Sequence, residues 1–229
     1  MIDKYRTSYG IWEILRPFPL ELSEEILKKH LSNIEKKVNL IKVDHKRQLS
    51  RVSLGKRSYI VKEFRKPGPW WIFRPDHISW KNSQKLYSLG IPVPKVYAWL
   101  KSRDRRGFII MEDLGDQVLA DILKKLKPGS EQRRSLIIKL SNLIAFVHSK
   151  NLIYGDMKLT NIMLKGSSLF LVDMDKIKLK KRRLKVKDRV YNLAQVIISF
   201  PKDLTKEEFM LFLKTYSQGI ENASCSPEQ

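Results

Sequence analysis

Apolar residues recur along the first part of the chain at the spacing of a helix. They begin after Ser23, and Glu24 and Glu25 lie in the first turn, where the helix dipole favours acidic side chains. The apolar positions are Ile26, Leu27, Leu31, Ile34 and Val38. This pattern predicts a helix that begins near Ser23 and carries His30 on its surface.

Short apolar and alternating stretches predict strands on both sides of a second helix. The strands are predicted at residues 40–44, 47–54, 57–64, 95–101 and 107–112. The helix is predicted at 77–89 and stops at Gly90, because glycine readily adopts the left-handed conformation of a helix end. Residues 1–20 mix aromatic residues with prolines, and we predict an irregular arm there, either without regular structure or with one strand.

Helical patterns dominate the second half of the chain. Helices are predicted at residues 117–127, 130–149, 186–200 and 205–219. Thr205 and Glu208 have the spacing of a capping box, which predicts that the last of these helices begins there. The chain beyond Asn222 is polar, and we predict that it is disordered.

Four polar side chains stand between short apolar stretches. Asp156, Lys158 and Asn161 share one loop, and Asp173 follows the next apolar strand. Asp156 could accept a proton from a hydroxyl and Lys158 could neutralise a phosphoryl group, while Asn161 and Asp173 offer oxygen ligands to a hard cation. Phosphoryl transfer requires this division of roles. A β-hairpin with a solvated polar loop is the alternative, but the D-x-K-x-x-N spacing followed by an acidic residue favours a phosphoryl-transfer site.

The segment from Tyr154 to Asn161 resembles the catalytic loop of the protein-kinase-like superfamily, H-R-D-L-x-x-x-N. Tyr154 stands in the position of the His, and Gly155 in that of the Arg. Asp173-Met174-Asp175 resembles the metal-binding D-F-G motif. The chain is also similar to the small lipopolysaccharide core kinases, which phosphorylate Kdo or heptose sugars and carry motifs such as H-x-D-L-K-x-x-N-I-L and I-D-x-D. This resemblance extends over residues 45–200.

The resemblance implies an α+β, two-lobed protein-kinase-like fold, with a small antiparallel β lobe, a short helical lobe, and ATP in the cleft between them. It also implies ATP and Mg²⁺ as cofactors, with Asn161 and Asp173 as the metal ligands. Lys62, in the stretch Y-I-V-K-E-F, resembles the V-A-I-K lysine that holds the α and β phosphates. The expected lobes are residues 40–114 and 115–221, preceded by an arm and helix at 1–39 and followed by a disordered tail at 222–229.

The stretch from Met111 to Leu114 resembles a kinase hinge. By this likeness the backbone of Glu112 and Leu114 binds adenine, and Met111 lines the pocket behind it. Two features depart from the kinase pattern. Gly55 alone stands where kinases have a glycine-rich loop, and Ser79 falls near the position of the Glu that pairs with the strand Lys. Asp76 could replace that Glu only if its helix were shifted.

The chain is strongly basic, with 45 Lys and Arg against 24 Asp and Glu and a net charge of +21. Such a surface attracts nucleic acid, anionic lipid headgroups and phosphorylated glycolipid alike. Residues 176–189 contain nine cations, and either they form an ordinary solvated run or they contact an anionic acceptor or bilayer. Trp70, Trp71 and Phe73 lie beside cations, which suits either a membrane interface or a loop packed into the core.

Cysteine content and hydropathy indicate the compartment. The single Cys225 excludes an intramolecular disulfide, as is typical of a reducing cytoplasm. We find no signal peptide, and apolar runs such as residues 196–200 are too short to span a bilayer. We therefore expect a cytoplasmic protein that binds peripherally to the cytoplasmic face of the inner membrane.

The sequence predicts an ATP-dependent kinase that phosphorylates a sugar hydroxyl of the lipopolysaccharide inner core. Its expected partners are ATP, the core glycolipid and an anionic membrane surface, and nucleic acid is a possible but less favoured partner. One alternative is a small atypical serine/threonine protein kinase of the RIO type. The other is a degenerate kinase fold that serves as a polyanion-binding module.

Overall fold

The computed structural model of the protein describes residues 1–65 and 74–225, so the predictions for Trp70, Trp71 and Phe73 lie outside the described residues. The chain divides into two compact units. The first comprises Met1–Tyr87 and Pro94–Asp113, and the second Ser88–Val93 and Leu114–Gln229. Antiparallel strands dominate the first unit and helices the second, so the prediction of an α+β fold is confirmed.

In its described residues, the first unit is built on one seven-stranded antiparallel sheet with two helices. Its strands are β1 (Ile2–Arg6), β2 (Gly10–Leu15), β3 (Leu40–Val43), β4 (Arg47–Leu54), β5 (Arg57–Phe64), β6 (Val96–Ser102) and β7 (Gly107–Glu112). They lie side by side in the order β1-β2-β6-β7-β5-β4-β3. The helices are α1 (Leu20–Lys36) and α2 (Pro75–Ser88). The five strands predicted between residues 40 and 112 are confirmed.

The prediction that residues 1–20 are mainly irregular, with at most one strand, is wrong, because Ile2–Arg6 and Gly10–Leu15 form the hairpin β1–β2, which joins the sheet through β6. Both faces of β2 are covered. Trp12 and Ile14 are buried in the core on one face. On the other face Glu13 is buried and accepts a hydrogen bond from Trp80 Nε1 at 2.8 Å. In the sequence, a buried acidic residue on a strand looks like a solvent-exposed one. The sequence pattern therefore did not predict β2.

The prediction that His30 lies on the surface is also wrong. The ring is fully buried between α1 and the sheet, with Nδ1 2.7 Å from Ser50 Oγ and Nε2 3.2 Å from Glu63 Oε2. Burial alone would raise the pKa of Glu63, but the hydrogen bond to His30 and the charge of Arg106 outweigh it and hold that pKa below its ordinary value. His30 therefore serves as a structural partner of a buried acid.

Up to Cys225, where its described part ends, the second unit combines four α-helices with two small antiparallel sheets. The helices are α3 (Leu119–Lys125), α4 (Glu131–Ser149), α5 (Val186–Ile198) and α6 (Lys206–Cys225). The strands are β8 (Leu152–Tyr154), β9 (Ile162–Lys165), β10 (Ser168–Leu171) and β11 (Ile177–Leu179), paired as β8 with β11 and β9 with β10. Within residues 1–65 and 74–225 no helix combines the length and apolar content needed to cross a bilayer.

The last helix begins as predicted and ends later than predicted. Thr205 N–H donates to Glu208 Oε2 at 3.1 Å and Glu208 N–H donates to Thr205 Oγ1 at 3.2 Å, which confirms the capping box. The helix continues to Cys225, so the first residues of the tail predicted as disordered from 222 onward are helical. Residues 226–229 lie outside the described part of the chain.

Candidate active site

Three of the predicted site residues lie together in the segment between β8 and β9. A single 3-10 turn, Leu159–Asn161, leads from this segment into β9. Asn161 closes the segment, because its Nδ2 donates to the backbone carbonyl of Asp156 and its N–H to that of Lys158, both at 2.9 Å. These bonds fix the carboxamide, so its Oδ1 is the atom that could bind a hard cation.

The carboxylate of Asp156 lies between two ammonium groups. Its side chain is 24% exposed, and Oδ2 is 3.4 Å from Lys158 Nζ and 3.5 Å from Lys176 Nζ. Both lysine side chains are about half exposed, so they can also contact an anionic group that approaches the carboxylate. The sequence analysis identified Lys158 as a site residue, but it considered Lys176 only as part of the cationic run 176–189. Lys176 reaches the site because β11, which follows it, pairs with β8 and places Ile177 opposite Tyr154.

Asp173 has its backbone held against the same loop. Val172 N–H donates to the carbonyl of Asn161 at 3.0 Å, which ties the end of β10 to the loop. Asp173 itself adopts the left-handed conformation, with φ 64° and ψ 60°, which is uncommon for residues other than glycine and better tolerated by Asp than by most. The structure thus brings the fourth predicted residue next to the segment that carries the other three.

Tyr154 is the side chain that joins these two segments. It is fully buried, its hydroxyl donates to the carbonyl of Val172, and the same hydroxyl lies 3.1 Å from the carbonyl oxygen of Asp173. Burial raises the pKa of Tyr154 far above its ordinary value, and the carboxylates of Asp173 and Asp156 raise it further. The hydroxyl therefore stays protonated and remains a donor to the backbone that positions Asp173.

Two polar side chains of α5, Asn192 and Gln195, bind the backbone of the same loop. Asn192 Nδ2 donates to the carbonyl of Tyr154 at 2.6 Å, and Tyr154 N–H donates to Asn192 Oδ1 at 3.1 Å. Gln195 Nε2 donates to the carbonyl of Gly155 at 3.2 Å and its Oε1 accepts from Met157 N–H at 3.3 Å. The backbone on both sides of Asp156 is therefore fixed by side chains from one side of α5.

The sequence interpretation missed these α5 residues. Asn192, Gln195 and Ser199 recur at positions i, i+3 and i+7, which lie on one side of a helix. Ser199, the residue after the helix, accepts a hydrogen bond from Leu159 N–H at 3.0 Å. Polar residues at this spacing normally indicate the solvent-facing side of a helix. The pattern is visible in the sequence, but only the fold shows that these residues bind the loop between β8 and β9.

His148, at the end of α4, extends this network. The two bonds to the Tyr154 backbone orient the Asn192 amide, so its Oδ1 can only accept a bond from His148 Nε2–H, at 3.2 Å. The other ring nitrogen, Nδ1, then accepts from the Tyr216 hydroxyl at 2.8 Å. Burial lowers the pKa of His148 from 6.5 to about 4, so the ring is neutral and structural.

We expect the free energy of unfolding to fall as the pH is lowered from 6.5 toward 4. In this window the unfolded chain binds a proton at His148 and the folded protein does not, so the contribution is fully present above pH 6.5 and is lost on acidification. At ~1.36 kcal/mol per pH unit, the lowered pKa corresponds to about 3 kcal/mol. Urea unfolding at a series of pH values measures this slope.

The comparison variant for this experiment is His148→Gln, whose stability should depend less steeply on pH than that of the wild type. Burial also lowers the pKa of His77, but His77 contributes equally to both proteins and cancels in the difference. Equal slopes for the two proteins between about pH 6.5 and 4 would contradict the assignment of a buried neutral His148.

The remaining predicted site residues belong mainly to the first unit. Lys62 lies on β5, where it is buried and its Nζ is 4.9 Å from the ring centroid of Phe64. Met111 and Glu112 end β7, and Leu114 is the first residue of the second unit after that strand. The N–H of Glu112 donates to the carbonyl of Lys95 at 2.8 Å, so the predicted adenine contact at Glu112 could involve only its carbonyl oxygen.

The two residues considered as a partner for Lys62 lie on α2. Ser79 is buried there and has no acidic group. Asp76 is also buried, and its carboxylate accepts hydrogen bonds from Arg74 Nη2 at 2.7 Å and from Trp99 Nε1 at 2.8 Å. Asp76 therefore stabilises the start of α2 and the neighbouring strand β6, and Arg74 is its ion-pair partner.

The predicted metal ligands are one carboxylate, Asp173, and one amide, Asn161. Among the residues that the structure describes, no group of three or more His, Cys, Asp and Glu side chains could hold a metal ion by itself. A magnesium ion bound together with a nucleotide usually takes only one or two protein carboxylates and completes its shell with phosphate oxygens and water. The donor chemistry of Asn161 and Asp173 fits that mode, and their role as ligands stays a prediction.

Comparison with models of known protein families identifies the family of the chain. The model of the Lipopolysaccharide kinase (Kdo/WaaP) family matches residues 77–216, which is more than half of the chain. The matched span contains the loop with Asp156, Lys158 and Asn161 and also Asp173, and it begins after Lys62. No curated protein matches the chain.

Proposed function

Because the chain belongs to the Kdo/WaaP lipopolysaccharide kinase family, we propose that it transfers the γ-phosphoryl group of ATP to a hydroxyl of Kdo or heptose in the lipopolysaccharide inner core. Membership of a kinase family makes the protein a phosphotransferase. The observation that supports the finer proposal is the loop between β8 and β9, in which the partly buried carboxylate of Asp156 stands between two lysines beside the backbone of Asp173.

In the proposed reaction, Asp156 orients the acceptor hydroxyl and takes its proton as the new O–P bond forms and the bond to the leaving ADP breaks. Lys158 and Lys176 stabilise the negative charge of the transferring group. ATP with a bound divalent ion, which we propose to be Mg²⁺, supplies the phosphoryl group and neutralises part of its charge. Asn161 and Asp173 would hold that ion.

The first unit would contribute the nucleotide contacts. Lys62 would contact the α and β phosphates, and Met111 would line the adenine pocket. The carbonyl of Glu112 and the backbone N–H of Leu114 would bind the adenine edge. This assignment rests on the resemblance of β5 and of the end of β7 to the corresponding kinase elements, and on the Glu112 N–H already being used by Lys95.

The acceptor that we propose is lipid-linked, so the enzyme must work at a membrane surface. The net charge of +21 supports peripheral contact with the anionic cytoplasmic face of the inner membrane. Each basic residue near such a surface contributes about 1 kcal/mol to binding. Nucleic acid would be attracted by the same field, but the family match favours the glycolipid.

The test is phosphate transfer from γ-labelled ATP in the presence of Mg²⁺. We expect the label to appear in a core glycolipid that carries Kdo or heptose, and mass spectrometry of the product should assign the phosphate to a sugar hydroxyl. A basic protein substrate, offered in parallel, should stay unlabelled. Labelling of the protein alone, or no transfer to any acceptor, would overturn the proposal.

A further inference from the structure

The outward side of α5 carries an apolar surface. We define the outer face of α5 by Val186, Val190, Leu193, Ala194, Ile197 and Ile198, with Tyr191 at its edge. Val190 is 55% exposed and Ile198 is 84% exposed. The opposite side of the same helix carries the buried Asn192 and Val196. From Val190 to Ile198 the helix is therefore mainly apolar where it meets solvent, the reverse of the usual arrangement on a globular surface.

This apolar exposure is concentrated in one stretch of sequence. Of the sixteen exposed large hydrophobic residues among the described part of the chain, five lie within residues 179–198. They are Leu179, Val186, Val190, Tyr191 and Ile198. Single exposed apolar residues are normal, but a contiguous group on one helix face indicates an interaction surface.

A cationic stretch leads directly into this helix. The basic segment, residues 176–187, contains eight Lys and Arg and no acidic residue, and all eight cationic residues are exposed. It includes β11 and the first residues of α5. Cations beside an apolar helix face are the combination found in helices that lie in the interface of an anionic bilayer, where the charges bind headgroups and the apolar side chains enter the acyl boundary.

Charge complementarity decides between possible occupants. A second copy of the chain would bring the same eight cations against the basic segment, which like-charge repulsion opposes. Nucleic acid would pair with the cations but would leave Val190, Ile197 and Ile198 in water. An anionic lipid leaflet satisfies both parts of the surface together.

We propose that the outer face of α5 and the seven cations of the basic segment that follow Lys176 together dock the protein on an anionic lipid leaflet. The inference deepens the proposed function and rests on it, because an enzyme that acts on a lipid-linked sugar needs its loop close to the bilayer. The loop is close to the outer face of α5 because Asn192 and Gln195, on the opposite side of this helix, bind the backbone at Tyr154 and Gly155. Asp156 then lies about one helix diameter, ~10 Å, from the membrane surface.

The experiment is binding of the full-length protein to vesicles of phosphatidylethanolamine with phosphatidylglycerol, followed by flotation or co-sedimentation. The variant Val190→Ser/Ile198→Ser should weaken binding by roughly tenfold, because two apolar side chains no longer enter the interface. The matched control is Ile41→Ser/Val43→Ser on β3, where the two residues are 51% and 53% exposed, and it should bind like the wild type. Vesicles of phosphatidylcholine alone should bind all three proteins weakly.

The cationic part is tested with Lys180→Gln/Lys181→Gln/Arg182→Gln, which should weaken binding to the anionic vesicles by about tenfold to a hundredfold at low salt. Equal binding of the α5 variant and its control would overturn the proposal. So would a wild-type dimer that the α5 variant converts to monomers, because the face would then be an interface between copies.

A kinase assay with a water-soluble, deacylated core oligosaccharide separates this inference from the proposed function. The Val190→Ser/Ile198→Ser variant should phosphorylate this acceptor as the wild type does, and should lose activity only on the lipid-linked acceptor in vesicles. If the wild type and the Val190→Ser/Ile198→Ser variant both phosphorylate the soluble acceptor but bind the vesicles equally well, only the proposed docking surface is overturned. Normal vesicle binding without any phosphoryl transfer would overturn the proposed function alone.

Discussion

Replacing Asp156 with asparagine should lower the turnover number by about 10²- to 10⁴-fold, the loss expected when a general base is removed. Asparagine has nearly the same size as aspartate, but it cannot take the proton of the acceptor hydroxyl. The backbone bonds that hold position 156 come from Asn161 and from Gln195 and need no carboxylate. The loop should therefore keep its conformation while the reaction slows.

The measurement is initial-rate transfer from labelled ATP to the soluble core oligosaccharide, together with nucleotide affinity from thermal shift. Nucleotide affinity should change little in Asp156→Asn, because the proposed role concerns the acceptor. Asp121→Asn, which alters an exposed acid on α3 of the same unit, is the matched control and should retain wild-type turnover. Wild-type turnover in Asp156→Asn would remove Asp156 from the mechanism.

Replacing Asn192 with alanine should reduce both stability and turnover. The change removes the bonds to Tyr154 N–H and carbonyl and to His148 Nε2–H, all of them buried. A buried polar group left without a partner costs about 1–3 kcal/mol, so we expect the free energy of unfolding to fall by roughly 3 kcal/mol or more. Turnover should fall by about tenfold to a hundredfold, as when a residue that supports catalytic ligands is lost.

Asn192 acts through Tyr154 and the loop, so it is a positioning residue and its test needs a readout beyond stability. The turnover number should fall while the KM for ATP stays near the wild-type value, and Asn192→Asp should recover part of the loss, because it keeps the oxygen that accepts from Tyr154 N–H and His148. Asn142→Ala, at an exposed position on α4, is the control. Lower stability in Asn192→Ala with unchanged turnover would show a purely structural role.

Local sequence patterns predicted the helices and strands in which one face is clearly apolar and the other polar. The strands at 47–54 and 57–64 alternate and flank Gly55, so their pairing across a short turn could be predicted, and β4 and β5 pair along their full length. The polar loop after β8 was predicted from its spacing alone. In both cases the signal lies within a few residues of the feature that it predicts.

The missed features depend on contacts between distant parts of the chain. Glu13 and His30 are buried because Trp80 and Glu63 provide partners, and neither partner is visible from the local pattern. Asn192 bonds to Tyr154, 38 residues earlier in the chain. Lys176 reaches Asp156 through the pairing of β8 with β11. Polar residues with buried, remote partners look like solvent-facing ones until the fold is known.

The order of strands in the large sheet has a consequence for synthesis on the ribosome. The hairpin β1–β2 and the meander β3–β4–β5 have no strand in common, and the hairpin β6–β7, made last, inserts between them. Until residues 96–112 have emerged, β2 and β5 each present an unpaired backbone edge. The nascent chain therefore needs protection from aggregation until this hairpin has left the exit tunnel.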